Sequence, residues 1–241
     1  MEDPVNEAAV ASLVDVVYRH PRHRELYYAI LAHCEEEQTV EDTEGFVEEH
    51  VDYRSALQNA ATLIDVMIAE GGLSYAEYDA EGKSITEERL EALRAETAEQ
   101  WLETHPEDDA ASLSENHSFQ DAYDDACFEL VARRTLQTTA VGMTVVELLN
   151  PVKRISAYVA SRPERSHLYL QVLNFCQTPR TLAEVDALIK DDPALAPTAA
   201  SDWQRIRPSY ILDRLAEAGG LAWNEGWFIT EAAKEYLAQH R

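Results

Sequence analysis

Basic side chains are scarce in this chain: 20 Lys and Arg stand against 45 Asp and Glu, for a formal net charge of -25 over 241 residues. Cysteine is scarcer still, with only Cys34, Cys127 and Cys176 and no CxxC pair, which excludes a disulfide framework and a paired-cysteine zinc site. All three are expected to be small core residues. No stretch approaches the ~20 apolar residues of a membrane span, and the acidic start Met1-Glu2-Asp3-Pro4 lacks the basic, then apolar, pattern of a secretory signal. A cytoplasmic protein is the expectation. A phosphate-binding glycine loop, a dinucleotide fingerprint and a nucleophile-elbow serine are all missing. The expected role is therefore non-enzymatic, with no cofactor, no metal and no catalytic residue.

The charge that is present is unevenly spread. Residues 1-90 carry 21 acidic and 6 basic side chains, residues 91-150 carry 13 and 3, and residues 151-241 carry 11 of each. A polyanion approaching the first two regions meets repulsion over a Debye length of ~8-10 Å, so any affinity for one belongs to the last region.

An internal repeat organises the chain. Pro21 to Cys34 lies over Pro163 to Cys176 without a gap, and Pro, Leu, Tyr, Leu and Cys coincide at five positions. In each copy the proline suits a first helical position and the apolar residues recur at helical spacing. Thr39-Val-Glu-Asp42 and Thr181-Leu-Ala-Glu184 follow at the same offset as capping-box patterns that start a second helix. A third helix ends in Gly71-Gly72-Leu73 in one copy and Gly219-Gly220-Leu221 in the other. Beyond each glycine pair the spacing predicts a hairpin. Leu73-Tyr75 would pair with Lys83-Thr86 around Asp79-Gly82, and Leu221-Trp223 with Trp227-Thr230 around Asn224-Gly226. Thr86-Glu87 and Thr230-Glu231 are each placed to cap one more helix. Between the copies, Thr86 to Glu103 reads as a helix, His105 to His117 as an acidic loop, the stripe Phe119, Tyr123, Cys127 and Leu130 as a second helix, and Thr144 to Leu149 as a third that Asn150-Pro151 interrupts.

Three helices, a Gly-Leu stop and a short hairpin, twice over, resemble the winged-helix family of helix-turn-helix domains. The expected architecture is mainly α with small β-hairpins: a winged-helix-like domain over 1-90, a helical connector with an acidic loop over 91-150, and a second winged-helix-like domain over 151-241. The resemblance implies that in a DNA-binding member the third helix enters the major groove while the wing touches backbone. That carry-over places Arg54, Ser55, Gln58, Asn59 and Thr62 of the first copy, and Arg205, Arg207, Ser209 and Arg214 of the second, at a nucleic-acid face.

Charge separates the copies. The first sets Arg54 and Lys83 among Asp52, Asp65, Glu70, Glu77, Asp79 and Glu81, so it reads as a protein-binding platform. The second holds Lys153, Arg154, Arg162, Arg165, Arg180, Arg205, Arg207 and Arg214, the main basic cluster, which either contacts DNA or pairs with Asp202, Asp213 or the acidic first copy. Trp223 and Trp227 flank the second hairpin turn and read as hairpin packing. His20 and His23 straddle Pro21 and do not share a helical face as a metal pair would, and the run Glu35-Glu36-Glu37 reads as solvated surface. The preferred expectation is an adaptor or regulatory scaffold that acts through a protein partner of basic character, without membrane contact, and with homo-oligomers open. The alternative is a transcription regulator binding DNA through residues 151-241.

Overall fold

The structure is a computed structural model that describes residues 6-21, 23-110, 112-196 and 205-240. The chain is mainly helical with small antiparallel sheets, and its apolar residues form two separate cores.

The first core is built from α1 (Glu7–Arg19), α2 (Arg24–His33), α3 (Val40–Glu49), α4 (Ala60–Ala69) and a three-stranded sheet. Its strands are β1 (Gln38–Thr39), β2 (Leu73–Tyr78) and β3 (Arg133–Thr138), in the order β1-β3-β2. The helices α5 (Glu87–Thr104) and α6 (His117–Leu130) come between β2 and β3, and α7 (Ala140–Leu149) follows β3. The second core contains α8 (Pro151–Ala160), α9 (Ser166–Phe175), α10 (Leu182–Ile189), α11 (Pro208–Glu217), the pair β4 (Leu221–Trp223) and β5 (Trp227–Ile229), and α12 (Glu231–Gln239).

The repeat is visible position by position. Leu26, Tyr27, Leu31 and Cys34 are all within 1% of full burial, as are Leu168, Tyr169, Leu173 and Cys176. Burial drives both thiols' pKa upward, that of Cys176 to about 11, which keeps them protonated at neutral pH. Thr39 caps α3 through the Asp42 N–H, and Thr181 closes a full capping box with Glu184 on α10. Gly71 and Gly219 end the third helices in the left-handed region, at φ 72 and 83. Behind them the Gly72 N–H donates to Met67 O at 2.8 Å, and the Gly220 N–H to Leu215 O at 2.7 Å.

The second wing strand of the first copy is not the expected one. β2 pairs along its length with β3, from Leu73 opposite Thr138 to Tyr78 opposite Arg133, whereas Lys83-Thr86 contributes only the bridge from Ser84 to Tyr78. The hydrogen bonds identify the true counterparts. Thr138 N–H donates to Cys34 O at 2.8 Å, as Ile229 N–H does to Cys176 O at 2.9 Å. The Thr139 hydroxyl reaches Gly71 O at 2.7 Å, as Thr230 reaches Gly219 O at 2.6 Å. Even the central position of the second strand repeats, since Trp227 of β5 bridges to Arg180 much as β3 pairs with β1.

Residues 91-150 are helical but do not link the two copies. α7 places Val145, Val146 and Leu149 in the first core, so the first body runs to residue 149 and not to 90. The helices α5 and α6 form an arm between the wing strands. The two bodies meet at Asn150, whose side chain caps α8 through the N–H groups of Val152 (2.9 Å) and Lys153 (3.2 Å). Pro151 starts that helix where an interruption was expected, because proline loses nothing at a first helical position.

Candidate functional site

The third helix of the second copy, α11, turns Ile211, Leu212 and Leu215 into the core and leaves Tyr210, Asp213 and Glu217 exposed. Pro208 starts it, and Arg207 holds the cap position without a side-chain cap bond. The four candidate residues do not converge into one basic surface. Arg205 turns back to the end of α10, donating to the carbonyls of Lys190 and Asp192. Arg214 pairs with Glu217 and lies over the Tyr210 ring, 5.1 Å from its centroid, and both contacts hold its pKa above the ordinary value. Ser209 is half-buried. Arg207 is exposed and makes no ion pair among the described residues. Asp202, the other expected partner, lies outside the described residues.

The rest of the basic cluster is spread over the second body. Arg180 donates to Phe175 O at 3.2 Å and to Glu184 at 3.4 Å, with its guanidinium over the Phe175 ring. Arg165 donates to Ala194 O at 3.3 Å, and Lys153 pairs with Glu147. Arg162 is exposed and, among the described residues, has no carboxylate partner.

Arg154 does what the sequence left open as the bland alternative: it pairs across the two bodies. Its side chain is 15% exposed, and its Nη2 lies 2.8 and 2.6 Å from the two carboxylate oxygens of Glu25. Its Nε donates to Leu149 O at 2.9 Å and its Nη1 to Glu217 O at 3.2 Å. Arg24 also donates to Glu217 O and to Glu25, the latter at 3.0 Å. Two arginines thus converge on one carboxylate and on the carbonyl end of α11, where the helix dipole favours positive charge. Sequence spacing carries no signal for this cluster, because its members are more than a hundred residues apart.

The wing of the second copy is engaged as well. Arg54 donates to the side chain of Asn224 at the hairpin turn, at 2.5 Å. Its place is therefore at the seam between the bodies and not on a groove-facing helix. The turn itself carries Glu225 in the left-handed region, at φ 58. Trp223 and Trp227 sit opposite one another in register with their rings edge to face at 5.4 Å. Trp227 packs on the core, while Trp223 is 54% exposed.

On the first copy, α4 bears no Lys or Arg. Asn59 is its cap, accepting from the Thr62 N–H at 2.8 Å, and Ser55 donates to Asp52 O. Gln58 Oε1 is buried and has no partner among the described residues. A cleft of about 1290 Å³ separates the bodies, with Glu25, His50, Asp52, Asp213 and Trp223 among its lining. Burial raises the pKa of Asp52, while His50 opposes the shift. His50 Nδ1 accepts from the Asp52 N–H at 3.3 Å. Among the described residues no group of three His, Cys, Asp or Glu is placed to hold a metal ion. His20 and His23 stack, with centroids 5.9 Å apart.

The arm is the feature that the sequence underplayed. Residues 87-130 hold 14 acidic and 2 basic side chains, so about half of the chain's net charge sits on one helical hairpin. At its far end Trp101 donates to Asp108 at 2.8 Å, stacks on His105 at 3.9 Å and meets Phe119 edge-on at 6.1 Å. Nearer the wing, Tyr123 donates to Leu90 O at 3.3 Å and lies under the Arg94 guanidinium.

Among the described residues no helix is long and apolar enough to cross a membrane. Comparison of the chain with protein-family models, with curated proteins and with solved structures found no match.

Proposed function

We propose that this chain is a non-enzymatic, cytoplasmic tandem winged-helix protein that acts as an adaptor or regulatory scaffold through protein-protein contacts. The carrying observation is how its arginines are used. Arg154 and Arg54 tie the two bodies together, Arg205 and Arg165 close carbonyl ends, and Arg180 and Arg214 face carboxylates. Phosphate contact would require several of these groups to leave internal partners, and each hydrogen bond given up to a charged group offsets ~1.5-3 kcal/mol of what the phosphate returns. The acidic arm adds repulsion at the first copy's wing, where a duplex would lie.

A second reading keeps one observation in its favour. Arg207 is exposed and unpaired among the described residues at the start of α11, where a helix N-terminus suits a phosphate oxygen. On that reading the protein is a transcription regulator whose second copy binds DNA through Arg205, Arg207, Ser209 and Arg214.

Titration of fluorescent duplex DNA at low and moderate salt decides between them, using the intact protein and the variant with Arg205, Arg207 and Arg214 all changed to Ala. The scaffold reading expects no salt-sensitive binding by the intact protein, even at low salt, where the electrostatic component is strongest. Binding that falls with salt by about one slope unit less in an Arg207→Ala variant would sink that reading and establish the regulator.

A further inference from the structure

The arm that opens the first wing is a two-helix layer with nothing packed across it. α5 contains no buried residue, although Leu90, Leu93, Ala98, Trp101 and Leu102 repeat at helical spacing and are only half-buried. A helix with an apolar stripe gains by covering it, and a single antiparallel partner covers one side only. The uncovered side is a groove of about 340 Å³ beside the Leu113–Glu115 turn. Ala95, Ala98, Ala110, Leu113 and Phe119 form its apolar lining, with Glu91 at the rim. Room for a few aliphatic side chains therefore lies within a surface of 14 carboxylates and 2 arginines.

That charge selects the occupant. Another copy of the arm brings the same net charge of -12 and is repelled, and so is a nucleic acid or an anionic lipid surface. A helix with Leu-like residues on one face and Lys or Arg on the other satisfies both halves of the surface, as amphipathic helices do in apolar grooves. The carboxylates around the rim speed its encounter, and the groove holds it.

From this juxtaposition we infer that the groove of the α5-α6 arm is the docking site for a basic amphipathic helix of a partner protein. The inference rests on the scaffold reading and names the partner's chemistry. The body of the first copy presents the arm and takes no part in the contact.

Fluorescence anisotropy on the full-length protein tests it with a labelled Lys/Leu amphipathic peptide of about 18 residues, enough for five helical turns, and with a labelled oligolysine of equal charge. The expected result is tighter binding of the amphipathic peptide, with a part that persists at high salt. Ala95→Leu, at an exposed groove position, should weaken that peptide about tenfold and leave oligolysine unchanged, since only apolar room is lost. Replacing residues 80-131 by a short Gly-containing turn should abolish the salt-resistant part. Peptide binding no tighter than oligolysine would overturn the groove, leaving charge alone. Undiminished binding without the arm would overturn the site and leave the scaffold reading standing, because the peptide would then dock elsewhere. Arm-dependent self-association in sedimentation would give the groove to a second copy and also overturn the proposal. Absence of binding by either peptide to the intact protein would count against both readings.

Discussion

The two copies bury the same positions and differ in what their wings hold. In the second, β4 and β5 are joined by three residues, Asn224 to Gly226. In the first, 54 residues, 79 to 132, come between the paired strands β2 and β3. Yet the ladder closes in the same way in both, through Cys34 with Thr138 and Cys176 with Ile229. The comparison teaches that this repeat is specified by helix faces and by the hydrogen bonds around the glycine pair. The wing tip lies outside that specification, free to vary in length and charge. Partner chemistry has accordingly diverged there while the cores have not.

The largest effects should come from the shared core. Leu31 and Leu173 occupy matching positions, both fully buried. Replacing either by Ala removes buried methyl groups and leaves a cavity, at a cost of ~2-5 kcal/mol. Calorimetric unfolding of the two variants measures this. A loss under about 1 kcal/mol for one, with the full loss for the other, would break the equivalence of the cores.

How much of this was legible in the sequence turns on range. The helix stripes, the capping threonines and the Gly-Gly stops are local signals, and they placed α2, α3, α4, α9, α10 and α11. The second wing strand was misplaced because two segments carry the same local grammar. Ile85-Thr86-Glu87 matches Ile229-Thr230-Glu231 closely, and Thr86 does cap a helix, α5. Thr139 caps α7 just as well, and only the long-range bond from its hydroxyl to Gly71 marks it as the true counterpart. The run Arg133-Arg-Thr-Leu-Gln-Thr138, between two helices and rich in strand-favouring Thr, was the signal available. α1 was passed over because it lies ahead of the matched segments, although Val10, Leu13, Val14 and Val17 recur at helical spacing. Of the candidate site, the sequence gave the correct arginines but no means of reading their partners, which lie across the seam or on backbone carbonyls.

The next contrast is at the seam. Replacing Arg154 by Met leaves the Glu25 carboxylate, half-shielded in the cluster, with Arg24 alone, and frees the carbonyls of Leu149 and Glu217. An expected loss of ~1-3 kcal/mol follows from unpaired polar groups of this kind. The signature should be a split of one unfolding transition into two as the bodies uncouple. A variant that keeps a single transition at the original midpoint would show that Arg154 does not join the copies.

A similar cost should appear where the copies pack their last helices differently. Gly142 of α7 stands where α12 has Ala233, by register from Thr139 and Thr230. A methyl group on Gly142 would lie 2.2 Å from Gly72 O and 2.7 Å from Thr138 Cγ2, so α7 sits closer to its strand than a side chain allows. Gly142→Ala should destabilise the first body by ~1-3 kcal/mol through overpacking. Ala233→Gly should cost the second body only about 1 kcal/mol, mainly through helix entropy. Denaturant titration of both variants checks the sign and the order, and a stabilising Gly142→Ala would refute the close approach.

The smallest expected effect is that of removing the arm. Tyr78 and Arg133 are register partners, and Ala132 N–H donates to Tyr78 O at 2.9 Å, so the ladder is closed before the arm begins. Were residues 79-132 a structureless loop, shortening them to a tight turn would return about 0.6 kcal/mol per halving of length, or roughly 2 kcal/mol. The arm is a helical hairpin that already holds its own ends together, so the gain should be smaller than that. No core side chain of the first body comes from the arm, so its removal opens no cavity there. Stability of the first body should therefore be unchanged or raised by up to about 2 kcal/mol, while the denaturant m-value falls because less surface is exposed on unfolding. A loss exceeding about 1 kcal/mol would mean that the arm supports the core, and that the two wings differ in architecture as well as in what they present.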